Sequence, residues 1–532
     1  MTKTVTTGKA TDLITFTRST TGTYLDSVKY GDELVTNGDF SAGAQNWTEE
    51  HGGGSGTPSA SIDNGVATLT GFAFPSHASI VQVIQTVAGE TYRYSANVTD
   101  NNAFLIAVNN VNQSGIITYA APKSGVITIT FVAPSDSTKI ILRSQDPNGT
   151  PSVFDNVSVK QIIGNQGTSG EPLLRTADTN EPRIEYDADG NLKGLLIEEQ
   201  RTNLVRSSDY TDAFDRSTAG APDVTITELN ENKLGVFEGL EVASGGGTWH
   251  RVNKYVSVTS GTTYAVSFYY RYGTSGKARF ELRVSGNSSV INTDEGVGYL
   301  TKSDAGGVIE FLSDEQFGDI RKMTCQWTPN ATSTTAQLGI ATRSETVGET
   351  IIAYAVQCEV GTFPTSYIPT SGSTATRNAD VATINLSEFE YNHTESTILV
   401  EGEKTARNTS STGVFTFVAL HDGGSSDRVL LYYNNSRLRG QVKSENATVA
   451  QFTGDTAEGG KLALAYELNH VTYSDNGNTV FTDISAPLPV NLQIFSIGGY
   501  SYSTAQQLNG HIKSVKYYPL KLTDNQLKAL TQ

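Results

Sequence analysis

The chain has 532 residues, of which 37% are hydrophobic and 17% are charged, and its formal net charge is −17 at pH 7. At roughly 100–200 residues per domain, this length predicts three or four domains. Phosphate contacts need clustered Lys and Arg, so we expect no nucleic-acid partner for so acidic a chain. No apolar run approaches the ~20 residues of a membrane helix, and residues 1–18 lack the apolar segment of a secretory signal. We therefore expect a protein made in a cytoplasm and not inserted in a membrane.

Apolar and polar residues alternate in several segments, among them residues 91–98, 127–131 and 263–268. A period of two is typical of a strand with one face in a core and the other in water. Gly, Ser, Thr and Asn are abundant between such segments, and helical patterns are scarce. The sequence therefore predicts an all-β fold of tandem antiparallel sandwiches. A short helix is expected near the end, where Thr523 and Gln526 have the spacing of a capping box.

An internal repeat indicates how the sandwiches are arranged along the chain. Residues 89–95 (GETYRYS) reappear as residues 261–267 (GTTYAVS), and each copy is followed by an aromatic strand that runs into a proline. We interpret this repeat as two copies of one sandwich, at residues 33–164 and 203–370. The cysteines, Cys325 and Cys358, fall in the second copy and form no C-x-x-C pair, which excludes a zinc knuckle. Two buried thiols are the favoured interpretation, and a disulfide between two strands remains an alternative.

The two ends of the first copy carry a recognisable pattern. It opens with NGDFSAG at residues 37–43 and closes with FDNVSV at residues 154–159. This pair resembles jelly-roll carbohydrate-binding modules of the family 4/9 type. The resemblance implies a structural calcium ion where the first and last strands meet, held by Asp39 and Asp155, and Ca²⁺ does prefer carboxylate and carbonyl oxygens. The alternative is that Asp39 makes a turn and Asp155 caps a strand. The second copy has Ala355 at the matching position, so no metal is expected there.

Three further segments, FTRSTTGTYLD (16–26), EPRIEYD (181–187) and GLLIEEQRTNL (194–204), resemble an arm of phage tail-fibre and head-spike proteins. In those proteins the arm is contiguous, whereas here the first jelly roll is inserted between Asp26 and roughly Arg175. The resemblance implies an arm at 1–32 and 165–202 that holds the protein to the particle or to itself. Insertions of this kind are tolerated at exposed turns.

The end of the chain also resembles phage fibres, in their C-terminal laminin-G-like or concanavalin-like domains. After an expected linker at 371–380, this domain covers 381–532 and ends with NGHIKSVKYYP at residues 509–519. The resemblance implies a homotrimer on the virion, at the head or the tail, with host surface glycans and other virion proteins as partners. A purely structural decoration of the virion is one alternative.

A polysaccharide depolymerase is another alternative, but we find no G-x-S-x-G, H-E-x-x-H or P-loop motif. Glu401 and Glu403 share one face of a predicted strand, as the acids of some concanavalin-type glycosidases do. The E-x-D-x-x-E motif of those enzymes has a third carboxylate, which this chain lacks. We interpret the pair as a solvated strand face and expect no catalysis and no certain cofactor.

Glycan binding needs aromatic side chains on which the CH faces of sugars can stack. Trp47 and Trp327 have the sequence context of core residues, whereas Trp249 follows a run of glycines and is expected to be exposed. The candidate ligand-binding residues are therefore Trp249 in the second copy and four tyrosines in the last domain, Tyr432, Tyr433, Tyr500 and Tyr502. The alternative for the tyrosines is packing between protomers.

Overall fold

The protein is all-β, with antiparallel sheets that form several sandwiches and one short C-terminal helix. The computed structural model describes residues 14–26, 29–99, 103–109, 116–119, 125–163, 173–187, 192–219, 224–233, 237–246, 250–389, 391–404, 413–478, 480–500 and 506–532. The chain divides into two compact units. The inserted unit comprises Ser27–Pro172 and Asp187–Asn191, and the main unit comprises Met1–Asp26, Leu173–Tyr186 and Leu192–Gln532.

The inserted unit follows two short strands of the main unit, β1 (Thr15–Thr17) and β2 (Gly22–Asp26). Its sheets have the strand orders β10-β9-β12-β7-β4 and β11-β8-β13-β6-β5, with β3 also paired to β13. The strands are β3 (Lys29–Glu33), β4 (Thr48–Glu49), β5 (Ser59–Asp63), β6 (Val66–Thr70), β7 (Ala78–Gln85), β8 (Thr91–Val98), β9 (Ala103–Asn109), β10 (Ile116–Tyr119), β11 (Gly125–Val132), β12 (Ser137–Ser144) and β13 (Ser152–Ile163).

The alternating pattern predicted for β8 and β11 is confirmed. Tyr92, Tyr94, Ala96 and Val98 of β8 are buried in the core of the inserted unit, and their neighbours in the sequence are more exposed. The opening Trp47 lies in the same core, as its sequence context predicts.

The main unit continues with four short strands and then a second sandwich, β18–β29. Its sheets have the orders β18-β21-β28-β23-β24-β25 and β19-β20-β29-β22-β27-β26. The strands are β14 (Leu173–Ala177), β15 (Ile184–Tyr186), β16 (Leu192–Ile197), β17 (Arg201–Asn203), β18 (Arg216–Ala219), β19 (Thr225–Lys233), β20 (Phe237–Ala243), β21 (Arg251–Val258), β22 (Tyr264–Tyr272), β23 (Lys277–Val284), β24 (Asn287–Asp294), β25 (Gly298–Asp304), β26 (Gly307–Phe317), β27 (Ile320–Pro329), β28 (Ser333–Ala341) and β29 (Thr350–Val360).

Strand β22 is present as predicted, but the prediction that one of its faces meets water is wrong. Ala265, Ser267 and Tyr269 are buried, as are the expected core residues on the other face. A second apolar cluster, which contains Leu174 and Tyr367, covers Tyr269. The strand is therefore buried on both faces.

The two cysteines flank the same residue of β22. Val266 pairs with Cys325 of β27 on one side and with Cys358 of β29 on the other. Two interstrand spacings of about 4.8 Å separate the cysteine Cα atoms by roughly 10 Å, beyond the ~7 Å limit for a disulfide. Both thiols are free and buried, so the interpretation as buried thiols is confirmed and the disulfide alternative is wrong.

The C-terminal sandwich has two seven-stranded sheets, β1-β31-β40-β33-β34-β35-β36 and β15-β16-β41-β32-β37-β38-β39. Helix α1 begins with the predicted capping box of Thr523 and Gln526 and buries Leu527. The elements are β30 (Ala375–Arg377), β31 (Val381–Asn385), a 3₁₀ turn (Leu386–Glu388), β32 (Glu395–Lys404), β33 (Phe415–His421), β34 (Arg428–Asn434), β35 (Arg437–Ser444), β36 (Ala447–Thr453), β37 (Gly459–Glu467), β38 (His470–Asp475), β39 (Phe481–Asp483), β40 (Ile494–Ile497), β41 (Gly510–Tyr518) and α1 (Asp524–Thr531).

The segments expected to form an arm contribute strands to the C-terminal sandwich. Strand β1 pairs with β31 in one sheet, and β16 pairs with β41 in the other. Gly194 in β16 lies so close to the carbonyl of Ile512 that a Cβ atom would collide with it. Because a glycine has no Cβ atom, the arm sequence can pack directly on β41.

Two short antiparallel ladders mark where the chain leaves and re-enters this sandwich. Strand β2 pairs with β14 on either side of residues 27–172, and β17 pairs with β30 on either side of the second sandwich. Each insertion therefore begins and ends at two strands that pair with each other.

Buried charges connect the residues next to these ladders. Arg18 Nη1 lies 3.0 Å from Asp380 Oδ1, and Arg183 contacts both Asp380 and Glu198. Arg377 lies 3.5 Å from Glu198. We name these five residues (Arg18, Arg183, Glu198, Arg377 and Asp380) the buried ion cluster, because none is more than 8% exposed. Residues 371–380, expected to be a linker, thus supply two of its charges.

The cluster also binds the backbone of the ladders. Arg183 donates to the carbonyl of Thr23 in β2 at 2.8 Å, and Arg377 donates to the carbonyl of Glu199 just before β17 at 2.8 Å. Burial alone would raise the pKa of Glu198, but the charges of Arg377 and Arg183 outweigh it and hold this pKa well below its usual range. The carboxylate therefore stays ionised inside the protein.

We expect Arg183→Met to destabilise the main unit by about 3–5 kcal/mol, because it removes the guanidinium group that contacts both buried carboxylates, Glu198 and Asp380. Urea unfolding monitored by circular dichroism measures this loss. Lys513→Met is the matched control, since Lys513 forms a half-exposed ion pair with Glu401 and should cost at most about 1 kcal/mol. Equal stabilities of the two variants would contradict a structural role for the cluster.

Candidate functional site

The aromatic residues predicted to bind glycans do not form an exposed platform in the part of the chain that is described. Trp249 and Tyr502 lie outside the described residues. Tyr432, Tyr433 and Tyr500 are each less than 9% exposed. A sugar stacks only on an accessible ring face, so the structure corrects the prediction for these three tyrosines. Tyr433 belongs to the sandwich core, whereas Tyr432 and Tyr500 pack with Ala419 and Leu430 in a separate cluster.

A histidine contacts Tyr500 and a serine in this cluster. The His421 ring centroid lies 5.0 Å from that of Tyr500, and Nε2 lies 2.8 Å from Ser496 Oγ. The backbone N–H of Gly423 donates to His421 Nδ1 at 3.1 Å, so the proton of a neutral ring is on Nε2 and points at Ser496. A general base would need the opposite tautomer. This pair is therefore arranged for structure and not for activating a serine.

We expect His421 to make stability depend on pH. Burial lowers the pKa of His421 to about 4, below its ordinary value near 6.5. Its contribution is thus fully present above pH ~6.5 and is lost as the pH falls towards 4, by up to about 3 kcal/mol. Urea unfolding at pH 7 and pH 4.5 measures the change. His421→Gln should remove part of the pH dependence, and an unchanged dependence would contradict the assignment.

The predicted calcium ligands make local hydrogen bonds. Asp39 Oδ1 accepts hydrogen bonds from the backbone and hydroxyl of Ser41, and Asp155 accepts two from Asn156. Gly38 and Val157 join the two turns, because the Val157 N–H donates to the Gly38 carbonyl at 2.9 Å. No group of three or more His, Cys, Asp or Glu side chains suited to a metal occurs among the described residues. Two carboxylates fall short of the six to eight oxygens that Ca²⁺ takes, and the calcium ion stays a prediction.

The second sandwich has the same hydrogen-bonded junction, and this junction changes which of its residues matches Asp155. The Val356 N–H donates to the Ser208 carbonyl at 2.9 Å, as Val157 does to Gly38. Val356 therefore matches Val157, and the position of Asp155 is taken by Tyr354 instead of Ala355. Tyr354 has no carboxylate either, so the absence of a matching acid in the second copy still holds.

A polar groove opens at one end of the second sandwich, with a cavity volume of about 590 Å³. It lies between the β24–β25 turn of one sheet and the β26–β27 turn of the other, beside the last residues of β22. Gly296 and Gly298 in the first turn have φ values of 74° and 82°, which glycine adopts readily. The side chains that line the groove are Arg271, Tyr272, Glu295, Val297, Gln316, Asp319 and Arg321.

Both arginines of the groove are held in place by hydrogen bonds and ion pairs with other side chains of the protein. Arg271 donates to the Tyr354 hydroxyl at 3.2 Å and lies 3.3 Å from Glu231. Burial would lower the pKa of Arg271, but these two partners outweigh it and raise the pKa. Among the described residues these bonds engage Nε and Nη2, which leaves Nη1 of Arg271 able to donate to a ligand.

Arg321 is fixed by three partners. Its Nε donates to Asp314 at 3.1 Å, its Nη1 donates to Gln316 Oε1 at 2.9 Å, and its guanidinium lies 5.7 Å from the Tyr272 ring. Burial opposes the charge, yet the bond to Asp314 and its charge raise the pKa of Arg321. Side chains fixed in this way lose little conformational freedom when a ligand binds.

Exposed apolar side chains lie next to the groove. Val297 at the tip of the β24–β25 turn is 71% exposed, and Tyr299 is 40% exposed. The Tyr299 ring stacks on Phe311 at a centroid distance of 4.8 Å, so its position is fixed. Tyr299 directly follows Gly298 of the groove. It is an exposed aromatic residue, as the sequence predicted for Trp249 and the four tyrosines.

None of the residues that line the groove was among the ligand-binding residues that the sequence predicted. They come from three separate segments, 271–272, 295–298 and 316–321, and only the sandwich brings these together. The signal in the sequence was indirect: two turns with glycine, EGVG at 295–298 and FGD at 317–319, each beside charged residues.

The acidic pair of the C-terminal sandwich faces a lysine and a histidine. Glu401 lies 3.1 Å from Lys513, and Glu403 lies 3.6 Å from His511 Nδ1. Glu403 is exposed, and Glu401 is partly exposed.

Within the described part of the chain, no helix is long and apolar enough to cross a membrane.

Known structures similar to this chain include carbohydrate-binding modules. A CBM4 module is 18% identical, with a TM-score of 0.21, and the match covers 24% of this chain and 99% of the module. The N-terminal CBM22-1–CBM22-2 tandem domain of Xyn10C from Paenibacillus barcinonensis is 14% identical, with a TM-score of 0.20, and the match covers 63% of this chain and all of that domain. No family model and no curated protein matches the chain. At TM-scores this low, neither structure indicates what this chain binds.

Proposed function

We propose that this chain is a non-catalytic glycan-binding protein and that the groove of the second sandwich is a binding site. The observation that carries the proposal is the set of charged and amide side chains fixed around the groove. Sugars present hydroxyls that both donate and accept, and the groove offers both kinds of partner. Arg271 and Arg321 are donors, and Glu295 and Asp319 are acceptors. Tyr272 adds a ring, and Tyr299 lies beside the rim.

Other ligand classes fit the groove less well. A nucleic acid would meet Glu295 and Asp319 in the groove and a net charge of −17 on the chain. An apolar ligand would leave the polar lining without hydrogen bonds, which is costly. Neutral polyols match the lining without either penalty.

We further propose that the protein acts on a phage particle, as a homotrimeric fibre or spike that attaches to host surface glycans. The support is the resemblance of residues 16–26, 181–187 and 194–204 to phage fibre and spike proteins. Three residues of the buried ion cluster, Arg18, Arg183 and Glu198, fall in these segments. The resemblance therefore concerns the residues that hold the main unit together.

The test is binding of the full-length chain to a printed array of bacterial capsular and O-antigen oligosaccharides. We expect binding to at least one oligosaccharide and an affinity about tenfold lower in Arg321→Met, because the guanidinium N–H groups that the bonds of Arg321 to Asp314 and Gln316 leave over can no longer donate to the sugar. Arg206→Met is the matched control, since Arg206 pairs with Asp215 at the surface of the same sandwich and does not line the groove.

The outcomes separate the candidate functions. Shortened oligosaccharides after incubation would instead indicate a depolymerase. If the native chain bound nothing on the array or on bacterial cells, a structural role on the virion would replace the proposal.

A further inference from the structure

A second exposed aromatic side chain lies in the inserted unit. Phe74 is 75% exposed, in the loop that joins β6 to β7. Exposing a phenylalanine forgoes about 2 kcal/mol of burial, so an ordered loop that presents one is unusual. Its neighbours Ala73 and Pro75 are exposed too, which leaves the ring at the tip of the loop.

The loop that carries Phe74 is well braced. The Phe72 N–H donates to the Ser76 carbonyl at 2.7 Å, and the Ser76 N–H donates back to the Ala73 carbonyl at 2.9 Å. The Phe74 ring lies nearly parallel to the His77 imidazole, with an interplanar angle of 8° and a centroid distance of 6.2 Å. The two rings are thus neighbours with similar orientations, and Phe74 stays 75% exposed.

The segment that contains Gly52 contacts the loop of Phe74 and holds it in place. The Gly52 N–H donates to the His77 carbonyl at 2.9 Å. A Cβ atom at Gly52 would collide with the Pro75 carbonyl and the His77 ring, so only glycine permits this approach. The loop that carries Phe74 is therefore held in position before any partner binds, which reduces the entropy lost on binding.

Polar side chains lie on segments next to the loop. His51 Nε2 lies 3.0 Å from Glu49 Oε2, and the Ser79 N–H donates to His51 Nδ1 at 3.3 Å. Arg143 donates to Ser79 Oγ at 3.1 Å. Hydrogen-bonding groups are therefore available on β4, β7 and β12 at the end of the sandwich that carries the loop.

The size of the apolar surface indicates its partner. Val83 and Val87, which are also exposed, lie near the far end of β7, an eight-residue strand of roughly 25 Å. Among the described residues at this end of β7, Phe74 is thus an isolated exposed apolar ring. A protein partner would need about 800 Å² of surface, whereas one isolated ring matches the CH face of one sugar ring.

We propose that Phe74, beside the nearly parallel ring of His77, is a second sugar-binding platform, on the inserted unit and separate in sequence from the groove. This inference rests on the proposed glycan-binding function and extends it to a further site.

The test uses the full-length chain on the same array of bacterial capsular and O-antigen oligosaccharides. We expect Phe74→Ala to lower the affinity about tenfold for at least one bound oligosaccharide and Phe74→Trp to retain it, because stacking needs a ring. The matched control is Val132→Ala, which removes an exposed apolar side chain elsewhere in the same unit. Thermal unfolding should be equal in all three variants, since each change is at the surface.

The outcomes distinguish this inference from the proposed function. Affinities equal to those of the native chain in Phe74→Ala, with binding still sensitive to Arg321→Met, would overturn the platform and leave the groove intact. Absence of binding by the native chain would overturn the glycan-binding function and the platform together.

Discussion

The main unit depends on the buried ion cluster, in which three arginines and two carboxylates meet in the interior. Isolated charges of this kind could not be buried, because their desolvation costs several kcal/mol each. Here each carboxylate contacts two or more guanidinium groups, and the arginines also donate to backbone carbonyls at both ladders. Arg18 and Asp380 are separated by 362 positions in the chain. The cluster therefore specifies which distant segments pair, and the ladders beside it follow from that choice.

The cluster explains why two long insertions are compatible with one sandwich. The loop-closure entropy of an insertion grows only slowly with its length, provided that its two ends are brought together. Strands β2 and β14 do this for residues 27–172, and β17 and β30 do it for the second sandwich. Charges from both ladders and from the segments beside them converge on Asp380 and Glu198, so closing one insertion favours closing the other.

Patterns local in the sequence predicted local structure well. Strands β8 and β11, the core tryptophans and the capping box of α1 all follow from periodicity or spacing over a few residues. The predictions that were wrong concern the exposure of side chains that are covered by residues distant in the sequence. Tyr269 is covered by residues such as Leu174 and Tyr367, and nothing within β22 indicates this cover. Tyr432 and Tyr433 face opposite sides of one sheet and are both buried.

The candidate site was harder to predict than the fold for the same reason. The sequence predicted a site of exposed aromatic residues, Trp249 and four tyrosines, whereas the groove is lined mainly by charged and polar residues from three segments. Phe74 was missed because an apolar FAFP segment between two strands is equally consistent with a buried loop. Exposure depends on what packs against a residue, and only the folded chain determines that.

Both proposed binding sites lie in turns and loops at the ends of sandwiches, and the buried ion cluster lies where the insertions join the C-terminal sandwich. Residues 295–298 and 317–319 make turns between strands of the second sandwich, and residues 71–77 join two strands of the inserted unit. Substitutions in such turns leave the sandwich cores and the ladders unchanged. A change at Asp380, in contrast, would affect both ladders at once. The proposed glycan specificity could therefore vary at little cost in stability, because the hydrogen bonds described for the groove and for the Phe74 loop involve no member of the buried ion cluster.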